Sequence, residues 1–191
     1  IEYPVHTPSD ADDMFDVLTY QKGASVLRML EQYLGADVFR TGVRIYLDRH
    51  QFGNTETHDL WDALEEASGQ PVRRIMESWI FQPGFPCIDV SVDGDRVSLR
   101  QRRFRYDRLP DDAPWAVPVR LRCTDGSVHA LLVEGEEATE LTVTAPIATA
   151  NVAASGFYRV NVIGAPDTPP PGLTAVERYT WLDDAMALSL A

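Results

Sequence analysis

The sequence predicts an α+β chain in three parts: a helical segment over residues 1–86, a small β-sandwich over 87–164, and a linker with one C-terminal helix over 165–191. Three observations predict it. Apolar residues recur at helical spacing through residue 80, the period changes to two from Cys87 onward, and a proline-rich stretch at 165–172 precedes a final helical pattern. With 191 residues and 45% apolar side chains the chain can bury a real core, and two domains are expected.

Taken in order, Ser9, Asp10, Ala11 and Asp12 after Pro8 read as a capping box. The next helix is expected over about 21–34, with Val26, Leu27, Leu30, Tyr33 and Leu34 on one stripe and Gly35 as its stop. A third, over about 37–49, should turn Val38, Phe39, Val43, Tyr46 and Leu47 inward. A fourth starts behind Thr57 as N-cap, carries Leu60, Trp61 and Leu64, and ends at Gly69. Pro71 at N1 then opens a fifth with Val72, Ile75, Met76, Trp79 and Ile80 facing a core, and the run from Gln82 to Pro86 ends the helices.

From Cys87 the alternation Ile88, Val90, Val92, then a turn at 93–95, then Val97 and Leu99, reads as a hairpin. Short strands are expected at 115–122, 127–133, 140–143 and 157–162, the spacing of a small sandwich. On the strand after the turn, Val97, Leu99 and Gln101 share one face and Arg96, Arg100 and Arg102 the other. That makes the arginines a solvated face rather than a nucleic-acid patch, and Asp107, Asp111 and Asp112 offset their charge. The helical pattern at 173–190 has no partner in the chain, so its apolar positions Leu173, Val176, Leu182, Met186 and Leu190 predict self-association.

A net charge of −12 argues against nucleic acid or an anionic membrane as a partner, since both need a cationic face. No window approaches a membrane span and no leader pattern opens the sequence, so a cytoplasmic location is expected. The first residue is Ile1, which reads as a piece of a longer protein. One of the seventeen basic residues is lysine, Lys22, a bias that a GC-rich genome explains. Cys87 and Cys123 do not make a disulfide framework and are expected as free thiols.

No catalytic signature settles the chemistry. His6, His50, His58 and His129 include no pair at i, i+4, and the cysteines lie 36 residues apart, so zinc-ligand spacing is absent and no metal is expected on this chain. His58 with Asp62 one turn later could hold a metal, but a solvated helix start explains the pair equally well. Nucleophile elbows and phosphate loops are absent too. What stands out is Tyr20, Lys22 and Gly23 at a helix entrance. A tyrosine there is usually core, yet Gly23 removes a side chain one turn later and Lys22 adds a donor, a combination that suits a partner in a cleft.

The run Thr-Tyr-Gln-Lys-Gly-Ala-Ser-Val-Leu-Arg-Met-Leu at 19–30 resembles the Tyr-x-Lys-Gly-Ala-x-Val-Leu-Arg-Met-Leu segment of the aminopeptidase N family of zinc metallopeptidases, the gluzincin aminopeptidases. The resemblance continues in order through Asn54-Thr55, Asp59-Leu60-Trp61, the run 79–86, Gln101-x-Arg103-Phe104, Trp115-x-Val117-Pro118-Val119 and Gly156-Phe157-Tyr158-Arg159-Val160. It implies the last helices of a thermolysin-like catalytic domain, a β-sandwich domain, and the first helix of a C-terminal helical domain. It also implies that Tyr20 donates its hydroxyl to the oxyanion of the tetrahedral intermediate during hydrolysis of N-terminal residues from peptides. The resemblance further implies Zn2+ in the parent enzyme, with the His-Glu-x-x-His motif and the amine-anchoring Gly-x-Met-Glu-Asn segment upstream of Ile1 and this chain inactive alone. Phe15 stands where the leukotriene-hydrolase branch has a second tyrosine, which favours plain aminopeptidase. The competing expectation is a stand-alone, non-catalytic module of helices and sandwich that serves as a scaffold or binds another protein.

Overall fold

The computed structural model describes residues 6–8, 10, 17–106, 114–165 and 168–191. The chain divides into two compact units, residues 1–83 and 84–191.

Four helices of the first unit lie among the described residues: α1 (Val17–Leu34), α2 (Ala36–Arg49), α3 (Thr57–Ser68) and α4 (Val72–Ile80). Its core is Val26, Met29 and Leu30 of α1, Trp61, Ala63 and Leu64 of α3, and Val72, Ile75, Met76 and Trp79 of α4. The expected α1 stripe finds Val26 and Leu30 of this core and misses Met29, while its Leu27, Tyr33 and Leu34 are only half-buried. Leu47 was expected inward but is 57% exposed. The α2–α3 contact is made instead through buried Gly42, where an added Cβ would stand 2.9 Å from the Leu64 Cα. Because two backbones meet there, α2 offers no space for a stripe as wide as the sequence suggests.

Helix ends differ from expectation by one or a few residues. The N-cap of α3 is Glu56 rather than Thr57, and it makes the capping box with Asp59, whose carboxylate accepts from Glu56 N–H at 2.8 Å. Pro71 is the N-cap of α4 rather than its first helical residue. Gly35 (φ 89°) breaks the chain between α1 and α2 as its freedom at positive φ allows. The expected capping box at Ser9 and Asp12 lies outside the described residues; Asp10 accepts from the backbone N–H groups of His6 and Thr7.

The second unit holds β1 (Pro86–Asp93), β2 (Arg96–Arg103), β3 (Val117–Cys123), β4 (Val128–Val133), β5 (Thr139–Thr142), β6 (Ile147–Thr149), a 3-10 turn at Val152–Ala154, β7 (Arg159–Val162) and α5 (Ala175–Leu190). One sheet runs β5-β2-β1-β7 and the other β4-β3-β6. The β1–β2 hairpin pairs Asp93 with Arg96 across Gly94 (φ 62°), as the sequence predicts. β7 pairs with β1 in parallel, and the three-residue β6 was not legible. Val97, Leu99 and Gln101 are buried while Arg96, Arg100 and Arg102 are exposed. The carboxamide of Gln101 reaches the other sheet: it donates to the carbonyl of Val133 in β4 at 3.3 Å and to that of Trp115, just before β3, at 2.8 Å, and accepts from Trp115 N–H at 2.8 Å. Cys87 and Cys123 are both free and buried. Among the described residues no helix is long and apolar enough to cross a membrane.

α5 overturns the expectation that it lacks a partner in this chain. It lies against β7 and the 3-10 turn, with Glu177, Asp184 and Ala187 buried. Its apolar stripe nonetheless faces outward: Val176, Leu182, Met186 and Leu190 are 46 to 69% exposed, joined by Tyr179. The docked face mixes Glu177 and Asp184 with Ala187 and Leu188, and Leu173, expected among the unpartnered apolar positions, is buried, so apolar periodicity alone failed to find it.

Candidate functional site

Tyr20 sits inside the first turn of the described part of α1, since the helix runs from Val17 and not from about residue 21. Its side chain is 59% exposed. Gly23 is one turn on, and because residues three apart share a helix face it lies beside Tyr20. A Cβ at Gly23 would meet nothing within 4 Å, so no described residue covers this face of α1 at Gly23. Lys22 does a different job from the one the sequence suggested. Two residues turn an α-helix by about 200°, which puts Lys22 on the opposite side from Tyr20. There its Nζ donates to the carbonyl of Gln82 at 3.0 Å. Phe15 lies outside the described residues.

The possible His58 and Asp62 pair is separated. His58 Nε2 stands 3.6 Å from Glu77 Oε1, and its ring meets Trp61 edge-on at 4.9 Å between centroids. Trp61 in turn contacts Phe81 edge-on at 6.3 Å. Asp62 is taken by Arg73, whose guanidinium reaches both carboxylate oxygens at 2.5 and 2.7 Å. Among the described residues no three histidine, cysteine, aspartate or glutamate side chains gather as a metal would need. The donor set present therefore does not fit a zinc site, which takes at least three such ligands. Tyr20 brings a hydroxyl, a hydrogen-bond donor, to a part-exposed face of α1 next to Gly23.

The second unit carries charged groups that the sequence reading missed. Glu177 is buried and accepts from Arg122 Nη2 at 2.7 Å, from Ala153 N–H at 3.0 Å and from Thr174 N–H at 2.9 Å. Burial opposes its charge, but these donors win and hold its carboxyl below the usual range. Arg159 Nη1 donates to both Asp183 and Asp184, the latter at 3.0 Å, and Asp184 also accepts from Val160 N–H at 3.1 Å. At Asp184 burial prevails and raises the carboxyl to about 6. Burial likewise pushes the Cys87 thiol up to about 12. A cavity of about 510 Å³ opens among α5, β6 and β7, with Trp181, Leu188 and Val162 in its wall. The acidic residues facing it are already engaged by the two arginines, and Asn151, Asn161 and Thr180 also line an otherwise largely apolar wall. Glu177 and Asp184 stand seven residues apart, two helical turns, and that spacing beside strand arginines was the one signal available.

Comparison with known proteins gives a consistent result. Residues 1–79 match the Peptidase family M1 domain. Tricorn protease-interacting factor F2 of Thermoplasma volcanium is 38% identical over 183 residues, 96% of this chain and 22% of the relative. Aminopeptidase M1 of Arabidopsis thaliana is 35% identical over 216 aligned positions, all of this chain and 24% of the relative. Probable aminopeptidase 1 of Sulfurisphaera tokodaii is 40% identical over 162 residues, 84% of this chain and 20% of the relative. The chain thus spans between a fifth and a quarter of the length of these relatives.

Proposed function

From the premise that this chain is related to the aminopeptidase N (M1) family over a fragment of its length, we propose that it is part of a zinc-dependent aminopeptidase that removes N-terminal residues from peptides. Residues 1–86 are then the C-terminal helices of a thermolysin-like catalytic domain, 87–164 a β-sandwich domain, and 165–191 the linker and first helix of a helical C-terminal domain. The enzyme is soluble and cytoplasmic, and neither nucleic acid nor membrane is its partner.

The observation that carries this reading is Tyr20, half exposed on a helix face with Gly23 beside it. Attack on a peptide carbonyl turns its oxygen into an oxyanion, and a donor aimed at that position stabilises the transition state more than the ground state. Tyr20 supplies this hydrogen bond from the first described turn of α1. The zinc that polarises the same carbonyl is held by ligands outside these residues, so the isolated chain is inactive. Its outward α5 stripe of Val176, Tyr179, Leu182, Met186 and Leu190 supports self-association of that isolated chain.

The test is chelator-sensitive hydrolysis of aminoacyl arylamides by the full-length protein, beside the 191-residue chain purified with zinc. Turnover by the first and none by the second is expected. A reading frame with no His-Glu-x-x-His upstream, and no turnover by its product, would point instead to a non-catalytic module.

A further inference from the structure

Lys22 is the single lysine among seventeen basic residues. In a chain so biased to arginine, the position that keeps a lysine calls for a physical reason. An ammonium on an unbranched stem brings its donors to one point, whereas a guanidinium presents a wide planar fork. Here the point is the carbonyl of Gln82, 3.0 Å from Nζ and sixty positions along the chain. Gln82 directly follows Phe81, the C-cap of α4, and α4 has no basic residue in its own last turn. The C-terminal carbonyls of a helix lack intrahelical partners and carry its negative pole. Gln82 lies one residue past that C-cap, so the Lys22 ammonium stands near the negative pole of α4 without meeting one of its helical carbonyls.

The roll of α1 is set along its length by buried Val26, Met29 and Leu30, and the Lys22 tie adds a restraint at the end that carries Tyr20, about 200° around the helix from it. We propose that Lys22 is a positioning residue for Tyr20: held on the Gln82 carbonyl, it restrains the roll of this end of α1 and with it the direction of the Tyr20 hydroxyl. The inference rests on the reading of Tyr20 as oxyanion donor. With a Cα radius near 2.3 Å and a tyrosine reach of roughly 6 Å, a roll of about 10° moves the hydroxyl by ~1.5 Å. An oxyanion donor works only within a few tenths of an ångström, and a misplacement of ~1 Å can cost about 100-fold in rate.

The test is a double-mutant cycle in the full-length enzyme with Lys22→Met, which keeps the stem and deletes the donors, and Tyr20→Phe. Lys22→Met should lower kcat about 10- to 100-fold with KM within about threefold, and the double mutant should be no more than about threefold slower than Tyr20→Phe alone. Thermal unfolding should show only the modest loss that deleting one hydrogen bond to a part-buried carbonyl implies. Should Lys22→Met fail to fold, the same cycle is run with Lys22→Arg, which keeps the charge and misplaces it; a partial kcat loss, again absent on the Tyr20→Phe background, is expected. Losses that multiply across the cycle, or a Lys22 variant at wild-type kcat beside a slow Tyr20→Phe, overturn this inference and leave Tyr20 in its role. A Tyr20→Phe enzyme at wild-type kcat overturns the reading of Tyr20 and this inference with it.

Discussion

The same substitution at two glycines of the first unit should move stability in opposite directions. At Gly23 an alanine methyl enters open space in a helical backbone, so only the backbone entropy changes. Relative to glycine, alanine favours a helix interior by about 0.8 to 1 kcal/mol. At Gly42 the same methyl would stand 2.7 Å from Leu64 Cδ2, 2.9 Å from Leu64 Cα and 3.2 Å from the Ala63 carbonyl oxygen. The Cδ2 atom can swing aside, but Leu64 Cα is backbone, so α2 and α3 must separate. Overpacking typically costs about 1 to 3 kcal/mol, which outweighs the propensity gain. Gly23→Ala should stabilise the unit by about 1 kcal/mol and Gly42→Ala should destabilise it by about 1 to 3. Hydrogen exchange of α2 and α3 peptides across a denaturant series reads this unit without interference from the other. A neutral or stabilising Gly42→Ala, or a Gly23→Ala that costs stability, would refute the packing argument.

Asp184 links the second unit to pH. Its folded value of about 6 exceeds the ordinary 3.8, so its contribution favours folding below about pH 4 and is lost as pH rises through 6. The stability difference between Asp184→Asn and wild type should therefore shift by at most about 3 kcal/mol between pH 4 and 7, with wild type relatively better in acid; urea unfolding at the two pH values measures it, and a pH-independent difference would be contrary. Cys87 and Cys123, both buried and Cys87 pushed up to about 12, should resist a disulfide thiol reagent at pH 8 until the chain unfolds; immediate reaction of both would contradict the burial. In sedimentation, Leu182→Glu with Met186→Glu should abolish concentration-dependent association of the isolated chain, and association unchanged by both charges would exclude this face.

What was legible in the sequence was local. The burial of Val72, Ile75, Met76 and Trp79 follows from a 3.6-residue period, and the β1–β2 hairpin follows from alternation around Asp93-Gly94-Asp95. What was not legible joins distant residues. Leu47 loses its inward place because Gly42 meets the backbone of Leu64 on another helix, and nothing in the residues around Leu47 announces that. α5 was assigned no partner because its docking face interleaves Glu177 and Asp184 with Ala187 and Leu188. An acidic residue can be buried only where an arginine waits, here Arg122 and Arg159 on strands more than twenty residues away. Tyr20 was singled out by its neighbours, yet the role given to Lys22 was misplaced, because its acceptor lies sixty residues along the chain.

The account stands most directly on the hydroxyl of Tyr20. Tyr20→Phe in the full-length enzyme keeps the ring and removes one O–H, so the loss should fall on the chemical step. Steady-state kinetics on an aminoacyl arylamide should give a kcat about 10²- to 10³-fold lower, roughly 3 to 4 kcal/mol, with KM changed only modestly. A variant that keeps half the wild-type kcat would contradict the account and leave Tyr20 a structural residue.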